Sequence, residues 1–341
     1  MTFLPTSRRT LLSGLGASAG LAACSDLSAP LKPTAGELLV WAPDAYFAPA
    51  LTAAFMLAAK LRMIRASSPA VADIIVVNNG RIDALLAANA LAVLDPRRLS
   101  GVADLDPSFL RGRFAASPAF ALPIGWQITG LGYRRSKVDD IPSSWNDIYA
   151  SARYPGRTGF SQDPLMLIRA GARALGGSFN DISAGAADRV AVTVLSQRRS
   201  AATAVNRDAA LALLRGDLDL VAANSAEVTA MQERDSDLGF VVPREGGLVT
   251  TEMVALGSQS RNATGAYALL DFLLQPATGT ALARILHLVP VSVTANRQVI
   301  VADLTMAAYA SSGRSPGNED DRSVSTAQQA ILMAAAARAV A

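Results

Sequence analysis

Between Glu37 and Leu94 the chain alternates twice between a short apolar run and a segment of helical length. Glu37 to Trp41 reads as a buried strand, and Pro43 and Asp44 turn the chain. Pro49 to Arg65 reads as a helix with Leu51, Phe55 and Leu61 on its apolar face. Asp73 to Val77 is a second strand, stopped by Asn78, Asn79 and Gly80, and Ile82 to Asn89 is a second helix. Strand, helix, strand, helix is the pattern of an α/β layer, because parallel neighbours need a long crossover and a helix supplies one. In such sheets ligands sit beyond the carboxyl ends of strands. Asp44, Tyr46, Asn78 and Asn79 fall at those ends and are candidate site residues by position.

The alternation continues downstream. Gly159 to Asp163 ends a strand, and Pro164 to Leu175 is a helix. Asp208 to Arg215 is helical and Gly216 to Asn224 a turn plus strand. Phe240 to Pro243 is a further strand, and Ala263 to Leu274 and Ala277 to Leu286 are helices. Ser311 to Arg322 is polar and reads as loose, before a last Ala-rich helix over Ser323 to Val340. At 341 residues the chain is too long for one simple core and suits two domains.

Several chemistries are excluded by count. There is one cysteine, Cys24, so no intrachain disulfide forms, and one histidine, His287. A metal site of the His/Cys kind is not expected, nor is a Ser-His-Asp mechanism unless His287 itself serves. No phosphate loop occurs, and no cofactor is expected. A formal net charge of +3, from 31 basic and 28 acidic residues, is too small to argue for nucleic acid.

Residues 1–24 read as an export signal. Arg8 and Arg9 resemble a twin-arginine motif, and the apolar run Leu11 to Ala23 is too short to span a bilayer. Leu21-Ala22-Ala23-Cys24 resembles a lipobox, in which the Cys24 thiol takes the lipid and ties the protein to a membrane. Residues 25–36, with Pro30, Pro33 and Gly36, have the composition of a tether.

From Leu38 to about Asn296 the order of these pieces resembles the bacterial spermidine/putrescine-binding proteins, within the wider extracellular solute-binding family. The likeness rests on "VWAPDAYFAPALTAAF", "ALPIGWQITGLGY", "PSSWNDIY", "FSQDPLMLIRAGARALG", "VVPREGGLVTTEMVAL" and "AYALLDFLLQPATGTALA". It implies an α/β, two-lobed periplasmic-binding-protein fold with two interlobe crossover strands, closing on a ligand. Residues 37–127 plus 251–296 would form one lobe and 128–250 plus 297–341 the other. The implied function is the substrate-binding subunit of an ABC importer, working with a separate permease and holding a polyamine or related cation. A cation of that kind needs carboxylates at its ammonium groups and aromatic faces along its methylenes.

By motif, the resemblance places Tyr46, Trp126, Asp163 and Glu252 at family pocket positions. Asp44, Asn79, Asn224 and Thr250 complete the candidate set, and they mark departures: Ala45 stands where the family often has an acid, and Asn224 and Thr250 where it has tryptophans. Arg81 introduces a positive charge. Trp41 and Trp145 read as core anchors. Two other readings stand beside transport. One is a lipoprotein of this fold that senses or docks to a partner, consistent with the eroded aromatic box. The other is an exported hydrolase using Asp163 and Glu252 as acid and base.

Overall fold

The computed structural model describes residues 36–110, 119–149, 154, 157–161, 163–200, 204–206, 209–302, 317–322 and 324–340. The export signal with Arg8, Arg9 and Cys24, and nearly all of the tether, lie outside the described residues.

The strands are β1 (Glu37–Trp41), β2 (Arg62–Arg65), β3 (Ile74–Asn78), β4 (Ala121–Arg134), β5 (Thr158–Ser161), β6 (Ala204–Asn206), β7 (Leu220–Asn224), β8 (Leu238–Val241), β9 (Leu248–Leu256), β10 (Val289–Pro290) and β11 (Glu319–Asp320). They follow the order β2-β1-β3-β9-β4-β7-β5-β6, with β8 and β10 also on β4 and β11 on β9. The outer pairs at each end are parallel, β1 with β2 and β3, and β5 with β6 and β7. The middle is antiparallel, β3 with β9, β9 with β4, and β4 with β7.

This order makes two lobes joined by two strands. One continuous sheet runs through both, and the strands of each lobe carry packed side chains on both faces. Along β3, Ile74 and Val76 enter one core while Ile75 and Val77 enter the layer behind it. Along β7, Leu220 and Ala222 face one side and Val221 and Ala223 the other. Successive side chains on a strand point to opposite faces, so a strand buried on both must be apolar throughout. That is why these runs show no polar alternation.

β4 carries the chain from one lobe to the other. Leu122, Ile124, Trp126 and Ile128 belong to the first core, and Leu131 and Tyr133 to the second. β9 makes the return, with Leu248 in the second core and Val249 and Val254 in the first. The helix Val293–Ala302 sends Val299 into the first core, whereas the last helix, Thr326–Val340, packs Leu332, Ala335 and Ala336 into the second.

Two local expectations are corrected. The helix read over Pro49 to Arg65 ends at Ala59, because Lys60 turns left-handed with φ of 58°. Arg62–Arg65 is instead β2, parallel to β1, with Met63 buried. The segment read as loose contains β11, which lies parallel to the start of β9. Gly246 lets it approach: its φ is +98°, and a Cβ there would stand 1.9 Å from the Gly317 carbonyl oxygen. Only glycine combines that backbone with that clearance.

Candidate functional site

A cavity of about 830 Å³ opens where the two lobes meet. Trp41, Asn78 and Arg81 line it from the first lobe, at or just past the carboxyl ends of β1 and β3. Gln127 and Thr250, partners in the β4–β9 register, form its floor. Asp163, Met166, Arg169 and Asn224 line it from the second lobe, at the ends of β5 and β7 and along the helix Pro164–Ala174. Asp321 and Arg322 enter from the segment after β11. The carboxyl ends of the parallel strands in both lobes therefore border one space, the position of a binding crevice in α/β sheets.

The second-lobe wall is tightly held. Arg169 is 2% exposed and pairs with the Asp321 carboxylate. Its Nη2 donates to Asn180 Oδ1 at 3.1 Å and to the Arg322 carbonyl at 2.8 Å. Burial pushes the Asp321 carboxyl up in pKa, against the pull of the Arg169 guanidinium. Asp163 is the N-cap of its helix, accepting from the Leu165 N–H at 3.0 Å while it faces the cavity. Asn224 closes a capping box with Glu227 and accepts from Thr129 Oγ1 at 2.7 Å. Among the described residues no group of acidic, His or Cys side chains is placed to hold a metal ion.

Of the candidates drawn from the sequence, Asn78, Asp163, Asn224 and Thr250 come together in this cavity. The other five do not line it. Asp44 is exposed and paired with Arg65 Nη1 at 2.7 Å. Trp126 is buried in the first core, stacked on Phe109 with ring centroids 6.2 Å apart. Asn79 is engaged as a clamp, its Nδ2 donating to the Asp321 carbonyl at 2.9 Å and its Oδ1 accepting from the Thr251 N–H at 3.0 Å.

Tyr46 and Glu252 form a buried pair outside it. Tyr46 is 2% exposed, and neither its hydroxyl nor Glu252 Oε2 has a hydrogen-bond partner among the described residues. Burial pushes the Glu252 carboxyl up to about 7, and burial followed by the Glu252 charge raises the Tyr46 phenol.

Sequence reasoning missed Trp41, Arg169, Asp321 and Arg322. Trp41 was read as a core anchor, yet it lines the cavity; Trp145 is the true anchor, fully buried with its Nε1 donating to the Gly246 carbonyl. Arg169 lies four residues after Leu165 and three after Met166, one helix face in all, and that spacing was its available signal.

The profile of the bacterial extracellular solute-binding proteins matches residues 56–308. The chain belongs to that family. Among curated members, the spermidine/putrescine-binding periplasmic protein of Escherichia coli K12 is 24% identical over 206 residues, 60% of this chain and 59% of that protein. The putrescine/cadaverine-binding protein of Pseudomonas aeruginosa is 23% identical over 214 residues, 59% of this chain and 60% of its relative. The matched region thus spans about three-fifths of the length of these solute-binding relatives. Among solved structures, a spermidine/putrescine ABC transporter substrate-binding protein from Streptococcus pneumoniae superposes with a TM-score of 0.76 at 18% identity. That likeness covers 89% of this chain and 99% of the other, and it shows the shared two-lobed fold.

Proposed function

We propose that the chain captures a small solute between its lobes and delivers it to the permease of an ABC importer, without catalysis. One observation carries the reading: a single cavity is built from both lobes and from the two strands that join them. Closure about β4 and β9 brings Arg81 and Asn78 toward Asp163 and Asn224 and removes the solute from water. The hinge falls where the two cores change over, between Ile128 and Leu131 on β4 and between Leu248 and Val249 on β9. The first lobe comprises 37–127 and 251–296, extended to the helix that carries Val299. The second comprises 128–250 and the last helix.

Export through the Arg8-Arg9 signal and lipidation of Cys24 would hold the protein at the outer face of a membrane. The curated relatives are named for spermidine, putrescine and cadaverine. Asp163 and Asp321 are the carboxylates on the cavity wall that carry the charge an ammonium group of such a ligand calls for.

The test is a thermal-shift screen of purified protein against amines, amino acids, sugars and organic acids, followed by uptake measurements in cells lacking the gene. A ligand that binds only the folded state raises its melting temperature. The expected result is one solute class that shifts the melting temperature and loses uptake on deletion. Turnover of any solute, or unimpaired uptake of the one that binds, overturns the reading.

A further inference from the structure

We infer that the end of the first lobe away from the cavity is a docking surface for an anionic lipid bilayer. It is formed by the outer face of the helix Pro49–Ala59 and three basic side chains beside it. The inference goes beyond solute capture and holds whatever solute the cavity takes.

Pro49–Ala59 buries Leu51 and Phe55 in the first core. Its solvent face is Ala50, Ala53, Ala54, Met56, Leu57 and Ala58, and no charged residue occurs from Pro49 to Ala59. At 3.6 residues per turn these six side chains share one continuous arc. A surface helix normally carries its charged groups on that arc. Here Leu57 is 74% exposed and Met56 45%. A contiguous apolar face held in water marks a contact surface.

The cations gather where this helix ends. Lys60 terminates it in a left-handed turn, and the Arg62 N–H donates to the Gly36 carbonyl at 2.7 Å. Asn262 Nδ2 donates to the Glu37 carbonyl at 3.1 Å, which brings the neighbouring Arg261 to the same end. Lys60, Arg62 and Arg261 are all exposed. Arg62 pairs with Glu37, whereas Lys60 and Arg261 have no carboxylate partner among the described residues.

Two observations choose a bilayer as the occupant. An apolar helix face bordered by lysine and arginine suits a membrane interface: the apolar groups enter the acyl boundary and the cations meet anionic headgroups. Position agrees. Gly36 is bonded three residues beyond the helix end, and residues 25–36 separate it from Cys24, a reach of at most about 40 Å. A lipid on Cys24, as proposed above, keeps this end of the lobe close to the bilayer. The carboxyl ends of β1 and β3 border the cavity at the opposite end, so the contact leaves the cavity clear for loading.

The test is sedimentation with vesicles at millimolar lipid. It uses the chain from Ser25 onward, which keeps every described element and both cores but has no anchor. Vesicles of phosphatidylglycerol and phosphatidylethanolamine are compared with phosphatidylcholine alone. The protein is expected to pellet with the anionic vesicles and less with the neutral ones. Leu57→Glu, exposed and so expected to keep the native melting temperature, should weaken partitioning at least about 10-fold, the value of burying one leucine. Lys60→Ala should weaken it about 5-fold on the anionic vesicles alone, an effect lost at high salt. Wild-type protein that stays in the supernatant with anionic vesicles overturns the proposal, as does equal binding of Leu57→Glu. Light scattering tests the rival occupant: a dimer that Leu57→Glu dissolves gives the face to a second copy and also overturns it. Neither Leu57 nor Lys60 lines the cavity, so failure here leaves solute capture standing.

Discussion

Each lobe buries a polar assembly, and the two are built in opposite ways. In the second lobe Arg169, Arg173, Ser178 and Asn180 hold the C-terminal segment through Glu319, Asp321 and backbone carbonyls. Arg173 donates to Glu319 Oε1 at 3.1 Å and to the Glu245 carbonyl at 2.8 Å, and Ser178 donates to Glu319 Oε2. Most donors there have an acceptor, although Arg169 Nε is buried with none among the described residues. In the first lobe Tyr46 and Glu252 sit together with the phenol hydroxyl and one carboxylate oxygen unpartnered among the described residues. The first assembly fixes chain topology, since it ties a remote segment across the start of β9. The second leaves its charge state to solvent pH.

The contrast is broken most severely by removing one member of the second-lobe network. Arg169→Met leaves the Asp321 carboxylate buried without its cation. The expected cost is about 3–5 kcal/mol, read from the urea unfolding midpoint. The double variant Arg169→Met with Asp321→Asn removes both charges and should recover more than half of that loss. A double variant no more stable than the single one would show that Arg169 acts by packing and backbone contacts, not through the ion pair.

A somewhat smaller effect, about 3 kcal/mol, is expected from the unsaturated pair. Glu252 titrates near 7 when folded, against 4.5 for an ordinary glutamate. Between those values the folded state holds a proton that the unfolded state has released. Stability from this group is therefore complete below about 4.5, falls as pH rises toward 7, and is flat above it. Glu252→Gln should abolish that fall in melting temperature, with the largest gain over the native protein at pH 8. A wild-type profile that rises across this window would mean that Glu252 is charged and paired in the folded state.

The two lobes also differ in how far the sequence disclosed them. β3 and β7 were legible because a strand buried on both faces must be apolar at every position, and Ile74 to Val77 and Leu220 to Ala223 obey that. β2 was not legible. Arg62-Met63-Ile64-Arg65 continues the composition of the preceding helix, and only the left-handed turn at Lys60 separates them. The candidate site was legible at some residues at or just past strand ends, as with Asn78, Asp163 and Asn224, but the same position misled at Asp44 and Asn79, which do not line the cavity. It was hidden where tertiary contacts decide. Tyr46 and Trp126 look like pocket aromatics but are taken into the first core, while Asp321 and Arg322 reach the cavity from a polar stretch with no local pattern. No spacing rule connects Asp321 to Arg169, 152 positions apart.

Asn79 joins the two halves of this comparison, and its loss should have the smallest effect of the three. Its side chain holds the Asp321 carbonyl and the Thr251 N–H, so it links the first lobe to the segment that the second lobe grips. The adjacent Gly80 allows the contact, since a Cβ there would stand 2.7 Å from an Asp321 carboxylate oxygen. Asn79→Ala removes two hydrogen bonds at a partly buried position, at a cost of about 1–2 kcal/mol. Amide exchange should quicken at Glu319 and Asp321, which donate to the Gly247 and Val249 carbonyls, while the exchange of β3 stays unchanged. Faster exchange along β3 as well would place Asn79 in the first lobe's own stability. Unchanged exchange at Glu319 and Asp321 would show that Arg169 and Arg173 hold the segment without help from the other lobe.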